Sequence, residues 1–258
     1  MGRVAVVTGA GKGIGAATAE AFGRQGYEVI VNYLSDETGA DRLVKNIQEQ
    51  GSRAVGVQAD MFSEEGVERL FQTVEDEYGR LDVLVNNVGS SGGVRFGAYT
   101  IANITDKFIG NVASAMLCTQ RAVPLMQEGG SVLFNSSING MPFCASPDSA
   151  LYGAGKAALG SFAQAMAEGL APKGIRCNVV APGFTKTPVW DRRDPYLTKQ
   201  QLAMTLQDDF VTPEEVASTF VFLAETPHIT AQTVVVDAGL QKRRLQLWRE
   251  DGSDLFGV

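Results

Sequence analysis

Histidine is nearly absent from this chain: His228, in the loop-like "ETPHIT", is the only one in 258 residues. A Ser-His-Asp or Cys-His hydrolase would have to be built around that one side chain, and a His-rich metal site is excluded. Proton transfer therefore falls to Tyr, Lys or a carboxylate, and no metal is expected. Cysteine is scarce as well. Cys118, Cys144 and Cys177 form neither a Cys-x-x-Cys pair nor a disulfide framework, which suits a reducing compartment. They read as small core hydrophobes. No apolar run approaches the ~20 residues of a membrane span, and the initial "MGRVAVVTGAGKGIG" enters a strand pattern with no signal-peptide anatomy. A cytoplasmic protein with no membrane partner is expected. Positive charge is in deficit: a formal net charge of −7 argues against a nucleic-acid or anionic-membrane surface.

What is present is an α/β rhythm. Short β-branched runs predict strands at Arg3–Thr8, Glu28–Tyr33, Arg53–Gln58, Asp82–Asn86, Ser131–Asn135, Ile175–Ala181 and Gln232–Val236. Between them, "VERLFQTVEDEY" sets Val67, Leu70, Phe71 and Val74 on one helical stripe. "TPEEVASTFVFLAE" opens with a capping box, Thr212 to Glu215, and Pro213 at the first helical position. Strict alternation of this kind predicts a single Rossmann-type doubly wound α/β domain: a seven-stranded parallel sheet with helices on both faces. Ligands of such sheets sit beyond the carboxyl ends of the strands. With 45% hydrophobic residues the chain can bury a sizeable core.

Two stretches carry chemistry. "TGAGKGIG", Thr8 to Gly15, lies between the first strand and the first helix, and Gly9, Gly13 and Gly15 allow a tight turn with N–H groups aimed at a pyrophosphate. "LYGAGKAALG" places Tyr152 four positions before Lys156, on one face of a helix otherwise made of small residues. An ammonium beside a phenol favours the phenolate, so the Tyr152 pKa is expected to fall below its ordinary value, making a general acid/base near neutral pH. Tyr-x-x-x-Lys pairs also arise by chance, so the pair alone decides nothing.

Read in order, further landmarks make the chain similar to the short-chain dehydrogenase/reductase family, in its 3-oxoacyl-reductase-like branch, from about Arg3 to Gly239. They are "TGAGKGIG", "AD" at Ala59–Asp60, "NNVG" at Asn86–Gly89, Asn111 in "FIGNVAS", "NSSING" at Asn135–Gly140, Tyr152 with Lys156, and "PGFTKT" at Pro182–Thr187. The resemblance implies a catalytic tetrad of Asn111, Ser137, Tyr152 and Lys156. Ser137 is preferred to Ser136 because the family's serine precedes x-x-Gly, the offset of Gly140. By resemblance, Tyr152 gives a proton to a carbonyl oxygen as hydride arrives from a nicotinamide, and Ser137 hydrogen-bonds the same oxygen. Lys156 holds the cofactor ribose, and Asn111 positions a water that relays protons to Lys156. Cofactor contacts implied in the same way are Gly9, Gly11, Lys12, Gly13, Ile14, Gly15, Tyr33, Ser35, Asp60, Met61, Asn87, Val88, Gly89, Pro182, Gly183, Thr185 and Thr187, besides Tyr152 and Lys156.

The cofactor expected is NADP(H). An NAD enzyme usually ends its second strand with an acid that binds the adenosine ribose, whereas this chain has Tyr33 there and no carboxylate before Asp36. Lys12 can meet a 2′-phosphate and Ser35 can donate to it. The alternative is that Lys12 is merely solvated and Asp36 reaches back to the ribose. Residues from about 184 to 210 are expected to form a substrate lid within a domain spanning 1–240, followed by a tail at 241–258. In the lid, Trp190, Tyr196, Leu202 and Met204 can supply an apolar lining, with Phe143 and Val94 shaping the pocket. Arg192 and Arg193 either meet an anion or are neutralised by Asp191 and Asp194.

Three departures from the family pattern stand out. Val88 replaces a usual Ala; the span from Ser137 to Tyr152 is about two residues longer; and the tail carries Leu245, Leu247, Trp248 and Phe256, which either pack on a partner or form a loosely docked helix. The expected activity is NADPH-dependent reduction of a small-molecule carbonyl to an alcohol, or the reverse oxidation. Two alternatives remain: a non-redox cyclase, dehydratase or isomerase on the same scaffold, and a cofactor-binding regulatory protein. A homotetramer or homodimer is expected from the small residues of "YGAGKAALGSFAQAMAEGL" with Phe162, Met166 and Leu170 at four-residue spacing.

Overall fold

The computed structural model describes residues 2–90, 92–142, 144 and 149–242, the Arg192 side chain excepted. Phe143 and the tail residues Leu245, Leu247, Trp248 and Phe256 lie outside them. Seven strands, β1 (Val4–Val7), β2 (Glu28–Tyr33), β3 (Ala54–Gln58), β4 (Leu81–Asn86), β5 (Met126–Asn135), β6 (Arg176–Pro182) and β7 (Thr233–Val236), form one sheet in the order β3-β2-β1-β4-β5-β6-β7. Every pairing is parallel. All seven coincide with the strands predicted from sequence to within a residue or two, apart from β5, which starts five residues earlier.

Alternation along the strands builds two cores. Val4 and Val6 face one side with the stripe of α3 (Glu64–Tyr78), while Ala5 and Val7 face the other with Phe22 of α1 (Gly13–Arg24) and Ile47 of α2 (Glu37–Glu49). The first layer is completed by α5 (Ser114–Ala122) and α6 (Ala150–Leu170), and the second by α8 (Pro213–Glu225). The predicted stripe Val67, Leu70, Phe71 and Val74 is fully buried, and the Thr212–Glu215 capping box forms with Pro213 in the first turn.

The right-hand end of the sheet is pinned by a buried cation that forms no ion pair among the described residues. Arg176 donates to the carbonyls of Leu223 (2.7 Å), Ala224 (2.6 Å) and Ile229 (3.0 Å), which closes the C-terminus of α8 with positive charge. Asn178 adds a donor to the Ile229 carbonyl and accepts from Gln232 N. Strand order reverses between β1 and β4, and the candidate site lies beyond the carboxyl ends of these strands.

Candidate active site

The glycine turn is held by buried polar side chains. Gly9 and Gly13 have left-handed φ angles of 62° and 59°. A Cβ at Gly15 would run into the Gly9 carbonyl oxygen and lie 2.6 Å from Asn87 Nδ2. Gly9 N donates to Asn32 Oδ1 (3.0 Å), and Asn32 Nδ2 donates to the Ala59 carbonyl (3.0 Å), tying the ends of β1, β2 and β3 together. Thr8 Oγ1 accepts from Asn87 N and Val88 N. Asn87 Nδ2 donates to the Thr8 and Gly9 carbonyls, and Asn135 Nδ2 donates to Asn87 Oδ1. The Asn87 side chain thus braces the turn. The extra bulk of Val88 is absorbed against Gly9, where a Cβ would lie 2.8 Å from Val88 Cγ2.

This cradle suits an anionic dinucleotide. The first turn of α1 has no side-chain cap and no acidic residue, so its N–H groups and positive dipole end are available to phosphate. Lys12, the residue before α1, is exposed and makes no ion pair among the described residues. Ile14 lines the cavity beyond the turn, as does Thr187, whose Cγ2 would lie 3.4 Å from a Cβ at Gly13. Asp36, the alternative ribose ligand, caps α2 by accepting from Gly39 N (3.0 Å). Tyr33 packs into the core against Gly56, with Gly11 also beside it, and Ser35 is exposed next to them. Asp60 accepts from Phe62 N. The Met61 side chain is buried in the core, leaving only its backbone to a ligand.

Three of the four expected catalytic residues, Ser137, Tyr152 and Lys156, line one cavity, and Asn111 is buried behind its Gly89 wall beside Lys156. Lys156 is buried on α6, and its Nζ donates to the Asn135 carbonyl (2.6 Å) and lies 5.8 Å from the Tyr152 ring centroid. Ser137, two residues past β5, faces the Tyr152 phenol and favours its ionised form. The Ser136 hydroxyl is turned away, donating to the Lys156 carbonyl (2.8 Å). Asn111 sits in a π-helical turn, Ile109–Ala113, between α4 (Ile101–Phe108) and α5. Its Nδ2 donates to the carbonyls of Lys107 and Ser90, both at 2.9 Å, while its buried Oδ1 has no hydrogen-bond partner among the described residues. A Cβ at Gly89 would lie 2.9 Å from Asn111 Oδ1 and 3.0 Å from Lys156 Nζ, so that glycine preserves the space these two polar atoms share.

The small residues around the Tyr-Lys pair have a structural reason. A Cβ at Gly153 would meet the Asn139 carbonyl at 2.7 Å, one at Gly155 the Asn111 side chain at 3.2 Å, and one at Gly140 the Lys156 backbone at 2.7 Å. The segments carrying Ser137 and Asn111 can therefore approach α6 only because it is nearly bare.

Electrostatics depart from the expectation at Tyr152. Burial pushes its phenol above the ordinary value, opposed by Ser137, and Lys156 does not pull it down. Burial also lowers Lys156, to about 8, because little balances a charge taken out of water. A weakly held ammonium aimed at the Asn135 carbonyl cannot dominate the phenol's surroundings.

The cavity measures about 790 Å³ and extends from Asn87 and Gly89 past Tyr152 to the lid. Pro182, Gly183 and Thr185 form its floor where β6 ends. The lid is fastened by a bridge between Thr185 and Val211, and Trp190 is clamped between Phe184 (5.4 Å) and Phe210 (4.7 Å). Trp190 and Met204 line the cavity, as anticipated, and Arg193 lines it with them. Tyr196, by contrast, is 67% exposed, and Leu202 lines a separate outer cavity. Val94 is not among the lining residues. Cys144 lines the cavity instead of the core, while Cys118 and Cys177 are buried. His228 is exposed, away from the cavity lining.

Sequence reasoning missed Asn32 and the bracing role of Thr8, Asn87 and Asn135. The available signal was an Asn closing an otherwise apolar strand next to a glycine loop. Phe162, Met166 and Leu170 pack, partly buried, on this chain's own core, so that stripe is largely satisfied within the monomer. Among the described residues no group of His, Cys, Asp or Glu could hold a metal, and no helix is long and apolar enough to cross a membrane.

Comparison with known proteins agrees with this arrangement. A family model described as Enoyl-(Acyl carrier protein) reductase matches residues 9–241. The chain is 37% identical over 245 residues to a 3-oxoacyl-[acyl-carrier-protein] reductase of Synechocystis sp., covering 92% of this chain and 96% of the relative. It is 35% identical over 246 residues to Glucose 1-dehydrogenase 2 of Bacillus subtilis, covering 93% and 95%. A crystal structure of a short chain dehydrogenase from Burkholderia cenocepacia in complex with NADP superposes with a TM-score of 0.86 at 29% identity, covering 93% of this chain and 98% of that one. With a glycine turn, a Tyr-Lys helix and a seven-stranded sheet matched over nearly the whole length, this chain belongs to the short-chain dehydrogenase/reductase family of oxidoreductases.

Proposed function

We propose that the protein catalyses NADPH-dependent reduction of a ketone or aldehyde to an alcohol, or the reverse oxidation, at the Tyr152 wall of the cavity. The observation that carries this reading is that Tyr152, Ser137 and Lys156 line the cavity that Ile14 of the uncapped glycine-turn helix also lines, with Asn111 Oδ1 close to Lys156 behind Gly89. A regulatory binder has no use for that arrangement.

NADP(H), when bound, supplies or accepts the hydride. Its pyrophosphate is held by the N–H groups of the Gly9–Gly15 turn, and Lys12, with Ser35 nearby, meets the 2′-phosphate. Tyr33, buried, stands where an acid would bind the ribose, and Asp36, beside Gly11, is turned to cap α2. The Tyr152 hydroxyl, kept protonated by burial, donates its proton to the substrate oxygen. Ser137 donates to the same oxygen and steadies developing charge. Lys156 has a lowered pKa, so it can pass a proton on to Tyr152. Asn111 Oδ1 accepts from a water that also meets Lys156, completing a path for the proton. The companion reading, a small-molecule carbonyl without a metal, follows from the same residues.

The same reading includes self-association. Phe96 (89% exposed), Ile101 (80%), Phe108 and Ile109 leave an apolar patch on and before α4. A second copy covering it gives a homodimer, or a homotetramer if another face pairs as well. Light scattering at micromolar concentration is expected to give a multiple of the chain mass, and a monomer with full activity contradicts it. The activity is tested by following NADPH absorbance against a carbonyl panel: product formed without NADPH consumption would favour a non-redox reaction.

A further inference from the structure

We propose that the substrate carries an anionic group, a carboxylate or its equivalent, and that Arg193 recognises it; this rests on the carbonyl-reductase reading. Arg193 lines the cavity that Tyr152 lines, and it also borders the outer cavity of about 520 Å³ beside Lys186 and Lys199. The guanidinium lies over the Trp190 ring, 4.3 Å from its centroid, and donates to Gln201 Oε1 at 3.4 Å. Trp190 is itself clamped by two aromatic rings. The guanidinium plane is therefore oriented by stacking and by Gln201, and its other N–H groups remain for a ligand.

Three carboxylates lie nearby: Asp191 and Asp194, adjacent to Arg193 in sequence, and Asp208, which borders the outer cavity with it. Asp191 pairs with Lys186 Nζ at 3.0 Å, and Asp194 caps α7 (Pro195–Leu202) by accepting from Tyr196 N at 2.8 Å. Among the described residues Arg193 forms no ion pair. In a chain of net charge −7, a cation held over a Trp ring on the wall of the reaction cavity, in no ion pair among the described residues, is suited to a planar anion, which a guanidinium fork binds in bidentate fashion. Arg193 is exposed as a residue, so its guanidinium is open to a ligand entering from solvent while the Trp190 ring and Gln201 hold it at the cavity wall.

The test measures kcat/KM with NADPH for benzoylformate, benzoylpropionate and benzoylvalerate, each beside its methyl ester. At one chain length or more the acid is expected to exceed its ester by about tenfold. Arg193→Gln is expected to bring that ratio towards one through KM, and Arg193→Lys to recover part of it. An ester preferred at every length, or a ratio unchanged in Arg193→Gln, overturns the proposal. If no carbonyl is reduced, the reaction assignment has failed, and binding decides the anion site separately. In a Trp248→Phe background, which leaves Trp190 as the single tryptophan, the NADP-loaded protein is titrated with phenylacetate and with phenylacetamide. A saturable fluorescence change specific to the carboxylate and lost in Arg193→Gln supports the site; equal responses to acid and amide, or none, overturn it.

Discussion

Replacing Lys156 by Met should remove a pH-dependent penalty that the protein carries when no cofactor is bound. The amine is 3% exposed, and its one protein hydrogen bond runs to the Asn135 carbonyl. Burial lowers its pKa from an ordinary 10.5 to about 8. In the unfolded chain the amine keeps its proton up to about 10.5, so between about 8 and 10.5 the unfolded state binds more protons than the native one. Stability contributed by this site must therefore rise with pH across that window, and the full penalty applies below it. At about 1.4 kcal/mol per tenfold change in proton affinity, the gap corresponds to on the order of 3 kcal/mol. Urea unfolding of wild type and Lys156→Met, without nucleotide, gives the assay. Other titrating groups cancel in the difference between the two proteins, and the lost hydrogen bond adds only a constant. The wild-type minus mutant stability should climb by roughly 3 kcal/mol from pH 7 to pH 10.5. A flat difference would show that Lys156 is fully protonated and solvated, and would refute the reasoning.

Lys12→Ala should weaken NADPH by about tenfold and leave NADH nearly unchanged, since only NADPH carries the extra phosphate. An unchanged ratio of the two affinities removes Lys12 from that site. Arg176→Met leaves the carbonyls of Leu223, Ala224 and Ile229 without their donor, and should cost about 3–5 kcal/mol in urea unfolding. A loss under about 1 kcal/mol would mean that water replaces the guanidinium there.

The strands were legible because a doubly wound parallel sheet needs continuous β-branched runs. "VAVV" and "EVIVNY" are bounded by glycines or turn residues, so their limits follow from local pattern. The glycine turn and the Tyr152–Lys156 spacing were legible for a similar reason, each being a short local motif. The π turn at Asn111 was not, because it depends on the Ser90 carbonyl and the bare Gly155 face, both distant in sequence. The direction of the Tyr152 shift failed for the same physical reason: proximity to Lys156 is local, whereas burial is set by the whole fold. In the lid, composition named Trp190, Met204 and Arg193 but could not separate them from Tyr196, whose side chain points to solvent.

The central claim is that Tyr152 moves the proton while the glycine turn and Lys156 hold the cofactor. The most direct measurement compares wild type and Tyr152→Phe in two assays on the same preparations: NADPH affinity by titration, and NADPH consumption with a reducible carbonyl from the panel. The substitution removes one hydroxyl, the group that faces Ser137, and leaves the ring beside Lys156 in place. The account predicts NADPH affinity within about twofold of wild type and turnover reduced by at least about a hundredfold, the scale of a lost general acid. Turnover of Tyr152→Phe equal to wild type would contradict it.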